Sequence, residues 1–139
     1  MPPLKYPRPE GRRKYQTIDK HRAQAVNEWS KWKNVPTERL TFDAADYGNH
    51  TASTGKDAWE DDDGNLWGFL HTLPIIGTEK EQFGFFPRTT NASDEWHGYP
   101  IIPFTKDGRN ISPKLISRWI NEELIEAEDI EDLKDGRRI

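Results

Sequence analysis

The sequence predicts an α+β fold, a small antiparallel sheet or barrel flanked by an N-terminal and a C-terminal helix. Short aromatic and β-branched runs, separated by Gly, Asp, Asn and Pro, fill the middle of the chain, and apolar residues recur at helical spacing on either side of it. Only 33% of the 139 residues are apolar, yet these include six Trp, four Tyr and six Phe, so a few large rings must supply the core. A chain of this length fits one domain and buries roughly two-thirds of the surface its unfolded form exposes.

Residues 1–16 hold four prolines and no apolar periodicity, which predicts a disordered, basic, proline-rich arm ahead of a single globular domain over 17–139. Asp19 is placed to cap a helix over 19–34, with Ala25, Val26, Trp29 and Trp32 on one face and Pro36 as its stop. Five strand-like runs follow: Arg39-Leu40-Thr41-Phe42, Ala58-Trp59-Glu60, Leu66-Trp67-Gly68-Phe69-Leu70-His71, Phe83-Gly84-Phe85-Phe86 and Tyr99-Pro100-Ile101-Ile102. The clearest hairpin runs from Trp59 to Trp67, where Asp63-Gly64 supplies left-handed turn geometry and the two tryptophans face each other across strands. Ser112 then caps a helix with Pro113 in its first position and Leu115, Ile116, Trp119, Ile120 and Leu124 as its apolar stripe. A shorter turn of helix is expected over 128–133, ending near Gly136.

Leu40-Thr41-Phe42, Asp46-Tyr47-Gly48, the stretch Asp62-Asp63-Gly64-Asn65-Leu66-Trp67-Gly68 and Gly84-Phe85-Phe86-Pro87 occur in an order that resembles an SH3-type barrel over residues 39–90. The resemblance implies a small barrel. It carries over no peptide-binding residues, because Asn65 and the stretch from Thr89 to Asn91 stand where that family places its ligand-binding Trp and Tyr.

The absence of cysteine excludes disulfides, thiolate metal sites and cysteine nucleophiles, and fits a cytoplasmic protein. No run approaches the roughly 20 apolar residues of a membrane span, and the N-terminus has no signal-peptide core, so no membrane partner is expected. Three N-glycosylation patterns, at Asn49, Asn91 and Asn110, are read as chance on the same ground. Net charge is −4, but residues 1–22 carry seven bases against Glu10 and Asp19, while 121–135 carries eight acids against Lys134. That polarity bears on partner choice rather than fold.

The densest cluster of reactive side chains lies over 88–100. It joins Arg88, Glu95 and His97 in a loop, with Ser93 as a cap or turn and Trp96 and Tyr99 anchoring it. His71 is the partner for His97 if two imidazoles act as acid and base, with Arg88 stabilising developing negative charge. No metal site is expected, since these histidines match no helical ligand spacing. Asp61-Asp62-Asp63-Gly64 is no calcium loop either, since Trp59 and Leu70 fall where such a loop needs acids. No cofactor motif is present.

Three readings of function follow. The preferred one is a non-enzymatic intracellular factor of prokaryotic size, an adaptor, inhibitor or immunity-type protein. It would bind another protein through Glu122, Glu126 and Asp129, through Arg12, Arg13 and Lys14, and through exposed Trp96 and Tyr99. The alternatives are a small metal-independent hydrolase or nuclease-like enzyme using His97, His71, Arg88 and Glu95, and a nucleic-acid module using the basic arm.

Overall fold

The computed structural model describes residues 4–18, 21, 30–53, 55–105 and 109–139. Among them the elements run β1 (Leu4–Tyr6), β2 (Tyr15–Thr17), α1 (Val35–Tyr47), β3 (Leu66–Gly68), β4 (Phe83–Phe86), β5 (Tyr99–Ile101), α2 (Pro113–Asn121) and α3 (Asp129–Lys134). β1 and β2 form an antiparallel hairpin, and β3, β4 and β5 a separate antiparallel sheet in that order. The mixed α/β class holds, but the sheet does not close into the barrel that the SH3-type pattern implied.

The largest departure from expectation lies at residues 35–47. Leu40, Thr41 and Phe42 belong to α1 rather than to a first strand. The punctuation is local: the Asn34 side chain accepts the Thr37 N–H at 2.8 Å, and Pro36 occupies the first turn. At the other end Gly48, at φ 61°, closes the helix through its N–H to the Ala44 carbonyl. Pro36 therefore opens a helix where it was read as ending one. The helix expected over 19–34 falls mostly on residues outside the described set; within that set, Trp32 makes an isolated bridge to Gly77.

α1 shows little amphipathic pattern because it is covered on more than one side. Thr37, Glu38, Thr41, Phe42, Asp43, Ala44, Ala45 and Asp46 are all buried. One side sits on the sheet at Gly68 and Gly84, which face each other across β3 and β4. A Cβ at Gly68 would stand 2.4 Å from the Thr41 carbonyl oxygen, and one at Gly84 would stand 2.8 Å from Thr41 Cγ2 and Trp32 Cη2. The paired glycines are the seat of the helix.

The core is a continuous set of rings. Phe42 meets Tyr15 at 4.5 Å and Phe86 at 5.1 Å between centroids, and Trp32 stacks on Phe86. Farther along, Trp59 stacks on Phe69 at 5.0 Å, and Trp119 of α2 packs edge-on against both. The acidic hairpin forms as expected, with Gly64 at φ 83° and the Trp67 N–H on the Trp59 carbonyl. Its two tryptophans nevertheless part: the Trp67 ring meets Phe85 while Trp59 turns to Phe69. Asp61 explains the acidic turn, for its carboxylate accepts the backbone N–H groups of Asp63 and Asn65 and the Trp67 indole N–H at 2.9, 3.0 and 3.0 Å.

α2 and α3 follow their sequence signals. Ser112 caps α2, Leu115, Ile116 and Trp119 are buried, and Leu133 anchors α3 ahead of Gly136 at φ 75°. Trp119→Ala should cost about 3–5 kcal/mol in denaturant melts, whereas Lys114→Ala at an exposed position of α2 should change stability by less than about 0.5 kcal/mol. Equal losses would mean that the helix face is reversed.

Candidate functional site

The segment read as a disordered arm is a hairpin held on α1 by charge. Gly11, at φ 86°, turns the chain and brings Arg8, Arg12 and Arg13 to Asp43 and Asp46, one turn apart on α1. Arg8, with 3% of its side chain exposed, donates from Nε and Nη2 to Asp43 Oδ1 at 3.0 and 2.8 Å, and from Nη1 to Asp46 Oδ2 at 2.6 Å. Asp46, with no side-chain exposure, also accepts from Arg12 Nε at 3.2 Å and Arg13 Nη1 at 2.7 Å. Burial works against the Arg8 charge, but the hydrogen bonds and charges of Asp46 and Asp43 outweigh it and hold its pKa above the ordinary value.

Neighbouring hydroxyls complete the attachment. Tyr6 donates to Asp43 Oδ2 at 2.6 Å, and its pKa is pushed up to about 12, first by burial and then by Asp43. Tyr15 and Thr17 donate to the buried Glu38 at 2.5 and 3.0 Å, and burial, reinforced by Glu38, holds the Tyr15 hydroxyl well above its usual range. Low hydrophobicity predicted an arm unable to offset its ordering entropy. Ion pairs formed only across 33 to 38 positions of chain supply what its composition lacks.

The hairpin and the 88–97 loop meet. Gln16 N–H donates to the Trp96 carbonyl at 2.9 Å and Trp96 N–H to the Lys14 carbonyl at 2.8 Å, while Lys5 pairs with Glu95 at 3.5 Å. The Arg13 guanidinium lies over the Trp96 ring at 5.7 Å and that of Arg12 over Tyr47 at 4.4 Å. Between them opens a cleft of about 370 Å³ lined by Arg12, Arg13, Asp46, Thr89 and Trp96. Asp94, rather than Ser93, makes the turn by accepting the Asn91 N–H at 3.1 Å.

The two histidines proposed as acid and base are kept apart by the sheet. Leu66 pairs with Phe86 and Gly68 with Gly84, so β3 delivers His71 beyond the Gly84 end. Phe85 pairs with Tyr99, which leaves exposed His97 beyond the opposite end. Arg88 follows β4 at that same end, its backbone N–H on Asn65 Oδ1 at 2.9 Å, and Glu95 is engaged with Lys5. His71 instead meets His50, a residue the sequence did not single out, at 4.7 Å between centroids, and its N–H donates to the His50 carbonyl at 3.0 Å.

The aromatic anchors are also placed differently from expectation. Trp96 is 7% exposed, and Tyr99 is half-buried between His21 and Phe85, so neither stands free for a partner. At the acidic end, Glu122 pairs with Arg118 at 2.7 Å and Lys56 at 3.3 Å. Burial acts to raise its pKa, but these two cations hold it below the usual carboxylate range. Asp129 accepts the Glu126 N–H at 2.8 Å, and Arg137 answers Asp132 and Asp135. Glu123, Glu126, Glu128 and Glu131 are exposed, and their carboxylates have no partner among the described residues.

Among the described residues, no group of three metal-capable side chains occurs, and no helix is long and apolar enough to cross a membrane. No protein-family model matches the chain, and no curated protein or solved structure is detectably similar to it. Fold and surface together define a small α+β domain whose hairpin arginines are turned onto buried carboxylates, while four glutamates of its acidic end stay exposed, their carboxylates without partners among the described residues.

Two tests follow from this geometry. Replacing Arg8 by Met leaves Asp43 and Asp46 short of a buried cation, and loss of one partner of such a pair costs about 3–5 kcal/mol. The melting midpoint should fall by roughly 10 °C, and removal of residues 1–14 should do at least as much; an unchanged midpoint in both would show the hairpin to be unattached. His50 is held below its ordinary value of 6.5 by burial first, then by His71 and Lys56. Folding therefore favours the neutral ring, a contribution intact above that value and lost as pH falls below it. In an NMR titration His71→Gln should raise the His50 midpoint, and no movement would show that the rings do not interact.

Proposed function

We propose that this protein is a non-enzymatic protein-binding factor that docks on a basic partner surface through the outward face of residues 123–131. The observation that carries the reading is the contrast in how charge is spent. Glu123, Glu126, Glu128 and Glu131 face solvent without partners, while Arg8, Arg12 and Arg13 are turned onto Asp43 and Asp46. Unpaired like charges on exposed residues close together in the chain favour a complementary partner and steer its approach. The same contrast weakens the nucleic-acid reading, because most of the arm's cations in the described region are answered by carboxylates rather than left for phosphates. The catalytic reading needs His71 and His97 to share a point, and the strand register supports their separation instead.

The test uses three reversals, Glu123→Lys, Glu126→Lys and Glu131→Lys, which avoid the structural roles of Glu122 and Asp129. Each adds two charges and together they move the net charge from −4 to +2. A control with Glu10, Asp62 and Glu79 changed to Lys makes the same shift elsewhere on the exposed surface. Capture of a basic protein should weaken as salt rises, and its association rate should drop on the order of tenfold in the first variant and much less in the control. Salt-independent capture, or equal losses in both variants, would refute the acidic face. Turnover of RNA, DNA or ester substrates that disappears in His97→Gln would instead establish the catalytic reading.

A further inference from the structure

The arginines of the N-terminal hairpin outnumber the aspartates they meet, three against two, and the surplus lies in the cleft beside Trp96. Arg8 spends its donors on Asp43, Asp46 and the Arg13 carbonyl. Arg12 spends Nε on the Asp46 carboxylate and Nη2 on the Asp46 carbonyl. Arg13 gives only Nη1 to Asp46, at 2.7 Å, which leaves Nε and Nη2, the two nitrogens on one edge of the planar fork, without a hydrogen bond. Nη2 is instead paired at long range with Glu60, whose Oε2 stands 4.0 Å away, beyond hydrogen-bond reach, on a side chain 52% exposed. The neighbouring Lys5 and Glu95 cancel each other, Lys14 is exposed, and Arg88 stands close to the Gly64 turn.

From this geometry we propose that the Nε and Nη2 edge of Arg13 is a carboxylate-binding site, in which that edge takes one carboxylate and Glu60 is the resident group it displaces. A guanidinium edge offers two parallel N–H donors that match a carboxylate bidentately. Asp46 and the Trp96 ring hold the Arg13 group in place beforehand, which lowers the ordering cost of binding. Charge selects the class of anion: with Glu60 swung outward the cluster carries one positive charge in excess, which a monoanionic carboxylate neutralises and a phosphate dianion overshoots. The edge lies on a residue that also lines the cleft beside Trp96, and two parallel donors suit a small free acid or one acidic side chain. The site is independent of the acidic face, so either proposal can fail without the other.

The experiment follows the arginine side-chain Nε–H resonances of the full-length protein by NMR at constant ionic strength, titrating acetate, a blocked glutamate amide and inorganic phosphate. Saturable shifts at Arg13 are expected with both carboxylates, with phosphate weaker. Glu60→Gln, which removes the resident competitor, should tighten carboxylate binding several-fold, and Arg13→Lys, which keeps the charge but loses the fork, should weaken it by about tenfold. Equal affinity for acetate and the blocked glutamate assigns the site to carboxylates in general; a preference for the glutamate assigns it to an acidic side chain of a polypeptide. Phosphate binding as tightly as acetate, no saturable shift at Arg13, or unchanged affinity in Glu60→Gln overturns the proposal. Should Arg13→Lys fail to fold, the Glu60→Gln comparison decides alone.

Discussion

Asp46 is the group on which the N-terminal third of the molecule depends. Its carboxylate has no exposed surface, yet it answers three guanidinium groups. A buried carboxylate is costly unless paired, and the pairing here is also what gives a hairpin of little apolar content a fixed place. From that attachment follow the position of Tyr15 against Phe42, the bond of Tyr15 to Glu38, and the meeting of β2 with the Trp96 loop.

A second constraint is the close approach of α1 to the sheet. Gly68 and Gly84 leave no Cβ between the strands and Thr41, and the surrounding rings fill the space on either side. With the sheet beneath one side and the ion pairs over another, α1 buries charged and apolar residues alike. The rings that would be binding anchors on a flatter protein are spent on this core: among the described residues, Leu40 is the large apolar side chain left exposed. The exposed surface of the described residues is accordingly dominated by charged and polar side chains.

The acidic turn at Asp61 and the acidic end of the chain show how one residue type serves two purposes. Asp61 is consumed by its own hairpin, and Glu122 by Arg118 and Lys56. Glu123 and Glu131, close by in sequence, have no such partners among the described residues, which is why charge counting alone could not separate paired from unpaired carboxylates. The arginine surplus beside Trp96 was hidden for the same reason: Arg8, Asp43, Asp46 and Glu60 are ordinary surface residues until the fold sets them together.

Elements whose signals are local were legible in the amino-acid sequence. Ser112 and Pro113 announced α2, Asp63-Gly64 announced the acidic turn, and the aromatic run at 83–86 announced β4, because caps, turn geometry and strand-forming side chains act within a few residues. The signals of α1 were just as local, in Asn34, Pro36 and Gly48, but its weak apolar pattern let a strand-like reading of Leu40, Thr41 and Phe42 prevail. Tertiary structure alone decided the order of the basic hairpin, the separation of His71 from His97, and the pairing of His71 with His50. Each of these depends on contacts between residues far apart in the chain, where the ion-pair energy or the strand register exists only once both partners are in place.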